Sequence, residues 1–173
     1  LNANFYARAS SNCVSKEKAS ELSRFSVRGG DVLIAKVGNP PGFACVYPET
    51  EEAGVVCQDV IRLRVDGNRV NPQYLAFLLN SDFGTASTDA LSVESTRKRV
   101  SLGELKKLRV PLPPIDEQGS IVEHVQRQSC EIARLLGYVE NARRGLQQRR
   151  ASLISAAVTG KIDVRSIAAK DVA

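Results

Sequence analysis

The sequence is poor in the residues on which most catalytic and metal sites depend. It has one histidine, no methionine and no tryptophan, and aromatic residues make up only 5% of its 173 residues. The single histidine, His124, lies in a long helical pattern, so no His-based catalytic triad can form within the globular part. The four cysteines show no CxxC or similar spacing, and a zinc site is not predicted. We therefore expect no catalytic residue, no metal and no cofactor.

Other signals are missing as well. No apolar run approaches twenty residues and no secretory signal is present, which predicts a cytoplasmic, reduced protein without a membrane span. Cys45 and Cys57 have apolar, strand-like neighbours, so both thiols are expected to be buried. The segment GNPPG at 38–42 lacks the pattern of a phosphate loop, and its two prolines remove backbone donors, so a turn is predicted. Without methionine and with the abrupt start LNANFYARAS, the sequence is expected to be a piece of a longer polypeptide.

The first two-thirds of the chain predicts a mixed α/β domain of short, hairpin-linked strands. Residues 31–37 and 43–47 are apolar runs on either side of the 38–42 turn, which indicates a hairpin. In VVCQDVIRLRV, at 55–65, apolar residues alternate with arginines, as in a half-buried strand. The segment LRVPLP, at 108–113, is predicted to be a last strand or an extended stretch.

Helices are predicted around these strands. Ser15 caps a short helix, and Asn71, followed by proline, begins another. Residues 83–94 are rich in Gly, Ser, Thr and Asp and are predicted to be a loop. Ser101 and Glu104 form a capping box. The buried face of the helix after Asn71 is expected to hold Tyr74, Leu75, Leu78 and Leu79.

The last third carries the longest helical pattern of the chain. No proline interrupts it from about 117 to 158, a length of roughly 60 Å, and Gly160 follows where a left-handed terminator is expected. Apolar residues recur at alternating spacings of four and three, a heptad seam typical of coiled coils. We expect this helix to protrude and to pair with another helix; packing against its own domain is the alternative. The pairing residues are predicted to be Ile121, Val125, Ile132, Leu135, Val139, Ala142, Leu146 and Leu153.

The net charge is +5, which suits a polyanionic partner. The densest basic cluster of the globular part is STRKRVS at 95–101. Arginine and lysine in loops can bind phosphates or read guanine, and asparagine can read adenine. A solvated basic loop without a ligand is the alternative.

Three stretches together resemble the specificity subunits of type I restriction-modification systems. GDVLIAKVGNPPG, at 30–42, is similar to a segment of the target recognition domains of that family. VPLPPIDEQGSIVEHV, at 110–125, resembles the start of its spacer helix. QQRRASLISAAVTGKIDV, at 147–164, resembles the close of that helix in its C-terminal copy. The resemblance covers about 14–164, nearly the whole chain.

The resemblance implies a non-catalytic module that recognises double-stranded DNA by sequence. Specificity subunits carry two target recognition domains, each of which reads half of a split site, separated by two antiparallel spacer helices. Methylation subunits, which carry the catalysis and S-adenosylmethionine, dock on this core, and restriction subunits join them. This chain resembles the C-terminal half of such a subunit, with a basic globular domain that is shortened at its front.

Domain boundaries and site residues follow as expectations. The target recognition domain would span 1–114, a spacer helix in an antiparallel coiled coil 115–165, and a flexible tail 166–173. Recognition residues vary within the family, so the DNA-binding candidates are chosen from charge and loop position alone. They are Lys36, Asn39, Ser95, Thr96, Arg97, Lys98 and Arg99.

A rival interpretation belongs to another class of protein. An assembly or regulatory half-subunit would self-associate into a homodimer through the helix, or bind methylation subunits without reading DNA.

Overall fold

A computed structural model of the chain describes residues 13–92 and 98–162. By internal contacts the chain divides into two units, Leu1–His124 and Val125–Ala173. The predicted mixture of short strands and helices with a long C-terminal helix is confirmed. The elements are α1 (Lys16–Glu21), β1 (Ser26–Val27), β2 (Val32–Ala35), β3 (Ala44–Val46), β4 (Gly54–Val55), β5 (Val60–Leu63), α2 (Pro72–Asn80), α3 (Asp82–Ala90), α4 (Leu102–Leu105) and α5 (Ile115–Val158).

The centre of the first unit is a three-stranded antiparallel sheet in the order β3-β2-β5. β2 and β3 form the predicted hairpin, in which Ile34 pairs with Ala44. One face of β2 packs with α2 in a core that includes Val32, Ile34 and Leu79. The other face contributes Leu33 to a second cluster with Cys45 and Tyr47. Both faces of β2 are therefore covered, which explains its continuous apolar sequence.

The predicted strand at 55–65 is two separate strands. β4 pairs with β1, whereas β5 pairs with β2. The two are separated by residues 56–59, and Cys57 in this connection is exposed. The expectation that Cys57 is buried was therefore wrong, while Cys45, in the central sheet, is fully buried.

The prediction of a loop at 83–94 was wrong for most of that range, because α3 occupies 82–90. The Ser81 hydroxyl caps it by accepting from the Gly84 amide at 3.3 Å. A Cβ on Gly84 would lie 2.3 Å from the Leu78 carbonyl oxygen, so glycine lets α3 approach α2 closely. Loop-like composition is overridden here by packing. Val93 and Glu94, at the end of the predicted loop, lie outside the described residues.

The predicted helix starts agree with the structure. Ser15, Asn71 and Ser101 are the N-caps of α1, α2 and α4, and each side chain accepts a backbone hydrogen bond. In α2, Ala76 is buried and Leu78 only half-buried, a small departure from the expected face.

The long helix α5 has 44 residues and begins two positions before the expected start. Its end is a Schellman motif: the Lys161 amide donates to the Ala156 carbonyl at 2.8 Å and the Gly160 amide to Ala157 at 3.2 Å. Gly160 has a φ of 72°, as the sequence predicted. In the part of the chain that the structure describes, no helix combines the length and apolarity needed to cross a membrane.

Candidate nucleic-acid interface

The basic cluster lies beside the turn that follows β2. Val37 and Arg99 form an antiparallel bridge. The Val100 amide donates to the Lys36 carbonyl at 3.0 Å, and the Gly38 amide donates to the Lys98 carbonyl at 3.3 Å. The Lys36 amide also donates to the Asp59 carbonyl at 2.8 Å. Residues 98–100 therefore pair along the same edge of β2 as β5 does, at the C-terminal end of β2. Positions far apart in sequence are thus joined by backbone pairing.

Four predicted DNA-binding residues fall in this region. Asn39 is exposed in the turn, and the backbone of Lys36 pairs with residues 98–100 while its side chain is half-buried. The Lys98 ammonium contacts both carboxylate oxygens of Asp89 at 2.7 and 2.9 Å. The Arg99 guanidinium lies 3.5 Å from Asp59. The remaining candidates, Ser95, Thr96 and Arg97, lie outside the described residues.

Helix α3 supports the turn at 38–42 through contacts of Thr88. The hydroxyl of Thr88, which is fully buried, donates to the Pro41 carbonyl at 2.9 Å. Gly42 has a φ of 99°, and a Cβ there would lie 2.7 Å from Thr88. Sequence reasoning missed Thr88 and Asp89 because their segment was predicted to be a loop. The i, i+4 spacing of Gly84 and Thr88, which places both on one helical face, was the available signal.

An ion pair between a buried carboxylate and a partly exposed arginine lies at the start of β2. Asp31 is 1% exposed, and its carboxylate accepts from the Arg64 guanidinium in two hydrogen bonds of 2.7 Å. Its Oδ2 also accepts from the Arg28 amide at 3.0 Å. Burial alone would raise the pKa of the Asp31 carboxyl, but these hydrogen bonds and the charges of Arg64 and Arg62 lower it below its ordinary value. Asp31 therefore stays ionised and fixes the Arg64 side chain.

The charge of the two units differs. Residues 1–124 contain fifteen Lys and Arg and fifteen Asp and Glu, whereas residues 125–173 contain nine and four. The whole surplus of five positive charges belongs to the second unit. Within the expected globular domain, residues 1–114, there are fifteen Lys and Arg against twelve Asp and Glu, so that segment carries a small positive surplus.

The start of α5 is fixed by one glutamine. Gln118 is fully buried, and its Nε2 donates to the carbonyls of Arg69 at 3.0 Å and Pro113 at 2.8 Å. Its Oε1 accepts from the Asn71 amide at 2.8 Å. In a capping box, a side chain of the same helix accepts the hydrogen bond of the N-cap backbone amide. Here the N-cap amide of α2, that of Asn71, donates instead to Gln118 of α5. The first turn of α5 is thereby attached to the body of the first unit.

Further along α5 the seam residues are largely exposed. Ile121 and Val125 are half-buried and Ala142 is exposed. The larger side chains are exposed by half or more: Ile132 56%, Leu135 51%, Val139 64%, Leu146 67% and Leu153 51%. A row of exposed apolar side chains of this kind is typical of a helix face that packs against another helix.

Within residues 13–92 and 98–162, no group of three or more His, Cys, Asp or Glu side chains is arranged to hold a metal ion.

Comparison with known proteins identifies the family of the chain. Residues 2–132 match the family described as the type I restriction modification DNA specificity domain. The specificity subunit of type I restriction enzyme EcoBI from Escherichia coli is 28% identical over 150 residues, which are 86% of this chain and 31% of that protein. That of StySPI from Salmonella potsdam is 24% identical over 151 residues, 85% of this chain and 33% of that protein. The specificity subunit of MjaVIII from Methanocaldococcus jannaschii is 20% identical over 151 residues, which are 82% of this chain and 33% of that protein.

The match over residues 2–132 makes this combination of short strands, helices and a long C-terminal helix a DNA specificity domain. The chain belongs to the type I restriction-modification DNA specificity family, because the match covers more than half of it. It spans about a third of the length of the curated relatives named above.

Proposed function

We propose that the chain is a non-catalytic module that recognises double-stranded DNA by sequence within a type I restriction-modification enzyme. It would direct methylation subunits, and restriction subunits through them, to one half of a bipartite site. The observation that supports this most directly is the bridge between Val37 and Arg99. It sets an exposed asparagine in a turn beside two cations, a combination suited to base edges and phosphates.

The proposed division of roles follows from exposure and charge. Lys98 and Arg99, with side chains 34% and 57% exposed, hold phosphates. Asn39 is exposed in a turn that α3 supports, so it can be presented to a base edge. Lys36 and the candidates Ser95, Thr96 and Arg97 complete the proposed contact surface.

The long helix has a separate proposed role. Its exposed seam pairs with a second helix in an antiparallel coiled coil, and methylation subunits dock against that pair. We propose that residues 1–114 form the target recognition domain, 115–165 the spacer helix and 166–173 a tail. The proposed site of action is the cytoplasm. The length of the helix would then set the separation between two recognition domains.

The DNA-binding proposal is tested by salt dependence. Binding of the full chain to duplex DNA should weaken steeply as salt rises, because bound phosphates release counterions. The double variant Arg97→Ala with Arg99→Ala should lower the slope of log affinity against log salt by about 0.9 to 1.8, for one to two lost phosphate contacts. Lys18→Ala, which removes a cation of α1 that pairs with Glu21, is the control and should leave the slope unchanged. An affinity that barely responds to salt would refute the proposal.

The second candidate is the assembly or regulatory half-subunit. It is favoured by the exposed seam and by the location of the whole positive surplus in the second unit. Sizing the chain with and without methylation subunit, followed by footprinting, separates the two functions. A complex that assembles and protects no DNA supports this candidate, and protection of a bipartite symmetric site supports DNA recognition.

A further inference from the structure

We propose that Asp59 and Asp89 are specificity-determining residues, which occupy the cations of the interface and so weaken binding to non-cognate DNA. The proposal rests on the proposed function, since it concerns the same surface. Each aspartate competes with a phosphate for one cation.

The geometry pairs each cation with its own carboxylate. Lys98 is bound by Asp89 of α3, and Arg99 faces Asp59, the residue before β5. The cations are adjacent in sequence, whereas their two partners come from different elements. All four side chains are between 34% and 57% exposed, so phosphates can reach both pairs.

These pairs differ from others on the surface. Lys18 with Glu21, Lys107 with Glu104 and Arg143 with Glu140 are i, i+3 neighbours. Such local pairs form with little help from the fold. The partner of Arg99 is forty positions away, and it is brought there by the pairing of β5 and residues 98–100 with the same edge of β2. The tertiary structure therefore delivers an acidic partner to each cation of the candidate interface.

The consequence concerns non-specific binding. A phosphate that binds Lys98 or Arg99 must displace a carboxylate. The exchange is therefore less favourable in binding free energy than contact with an unpaired cation. Non-cognate DNA offers only phosphate contacts, which supply essentially all of non-specific affinity. Cognate DNA adds base contacts that offset the exchange. These two aspartates therefore lower the attraction of this surface for any duplex.

The test uses the full chain with Asp59→Asn and Asp89→Asn, separately and together. Glu21→Gln is the matched control, because it also removes a carboxylate from an exposed lysine pair in the first unit. Binding to a short duplex of random sequence is measured across a salt series. Each Asn variant should bind this duplex more tightly at low salt, with a slope steeper by about 0.9. Between about 50 and 200 mM salt each should then lose roughly threefold more affinity than the parent.

A second measurement separates specificity from support of the fold. Enrichment of sequences from a randomised duplex library should fall in the Asn variants, while their melting temperatures stay within a few degrees of the parent because exposed pairs stabilise little. If the variants bind the random duplex no more tightly than the parent, or more weakly, the aspartates serve only to position the cations and the inference is wrong. If the parent itself shows no salt-dependent binding, the proposed function fails and this inference fails with it.

Discussion

The side-chain amide of Asn80 pairs with both backbone groups of Ala44. Its Nδ2 donates to the Ala44 carbonyl at 2.7 Å, and its Oδ1 accepts from the Ala44 amide at 2.8 Å. Ala44 belongs to β3, which lies at the edge of the central sheet. A residue of α2 thus takes the place that a further strand would occupy and covers part of an edge that other chains could otherwise pair with.

Replacing Asn80 by aspartate should destabilise the domain. A carboxylate retains the acceptor for the Ala44 amide but sets a second oxygen against the Ala44 carbonyl, at an expected cost of about 1 to 3 kcal/mol in the free energy of unfolding. Urea denaturation at neutral pH measures it. The control is Asn71→Asp, because the N-cap side chain only accepts hydrogen bonds and aspartate caps equally well. Equal stability of the two variants would contradict the assigned role of Asn80.

Asp31 should make stability depend on acidity. Its pKa in the folded chain is below its ordinary value of about 4, so its contribution is complete above that value and is lost as pH falls through the lowered pKa. Asp31→Asn should cost about 2 to 4 kcal/mol at pH 7 and flatten the decline in stability below about pH 4. Denaturation at a series of pH values tests both.

Asp66→Asn is the matched control for that experiment. The Asp66 Oδ1 accepts from the Asn68 amide in an exposed turn, and asparagine can make the same bond. A similar loss in both variants at pH 7 would argue against a special contribution from the pair of Asp31 with Arg64.

Gln118→Ala should be among the most destabilising substitutions in α5. It leaves the Asn71 amide and the carbonyls of Arg69 and Pro113 without their partner, which we expect to cost about 2 to 4 kcal/mol. Gln126→Ala, at an exposed position of the same helix, should stay within about 0.5 kcal/mol of the parent. Chemical denaturation of both variants checks the difference. A small effect at Gln118 would mean that the helix start is held by other contacts.

Charge in the exposed seam should affect association and leave the isolated chain nearly unchanged. Leu135→Lys and Leu146→Lys should weaken self-association or methylation-subunit binding by more than about tenfold, since lysine would be buried in a helix pair. Analytical ultracentrifugation measures association, and far-ultraviolet circular dichroism checks the helix. Gln148→Lys, on the opposite side by helical periodicity, should associate as the parent does. If all three variants behave alike, the seam is not the pairing surface.

Features set by neighbouring residues were predictable from the sequence. The caps at Ser15, Asn71 and Ser101, the hairpin of β2 and β3, and the end of α5 at Gly160 each depend on a few adjacent positions. The candidate cations could also be selected, because Lys98 and Arg99 belong to a dense basic cluster.

Features set by distant residues were not predictable. The helix α3 depends on the close approach of Gly84 to α2, and its composition alone indicates a loop. The partners of Lys98 and Arg99 follow from where α3 and β5 meet residues 98–100. Gln118 lies in a recognisable motif, yet its bond to Asn71 joins positions 47 apart in sequence, a contact that no local pattern encodes.

The contacts of Gln118 also bear on how such chains can be recombined. All three of its partners are backbone groups, so the joint does not depend on which side chains stand at positions 69, 71 and 113. A helix that supplies glutamine at this position can make the same three hydrogen bonds to any domain that presents the same two carbonyls and one amide. Under the proposed function, these hydrogen bonds are insulated from side-chain changes in the surface that would read DNA.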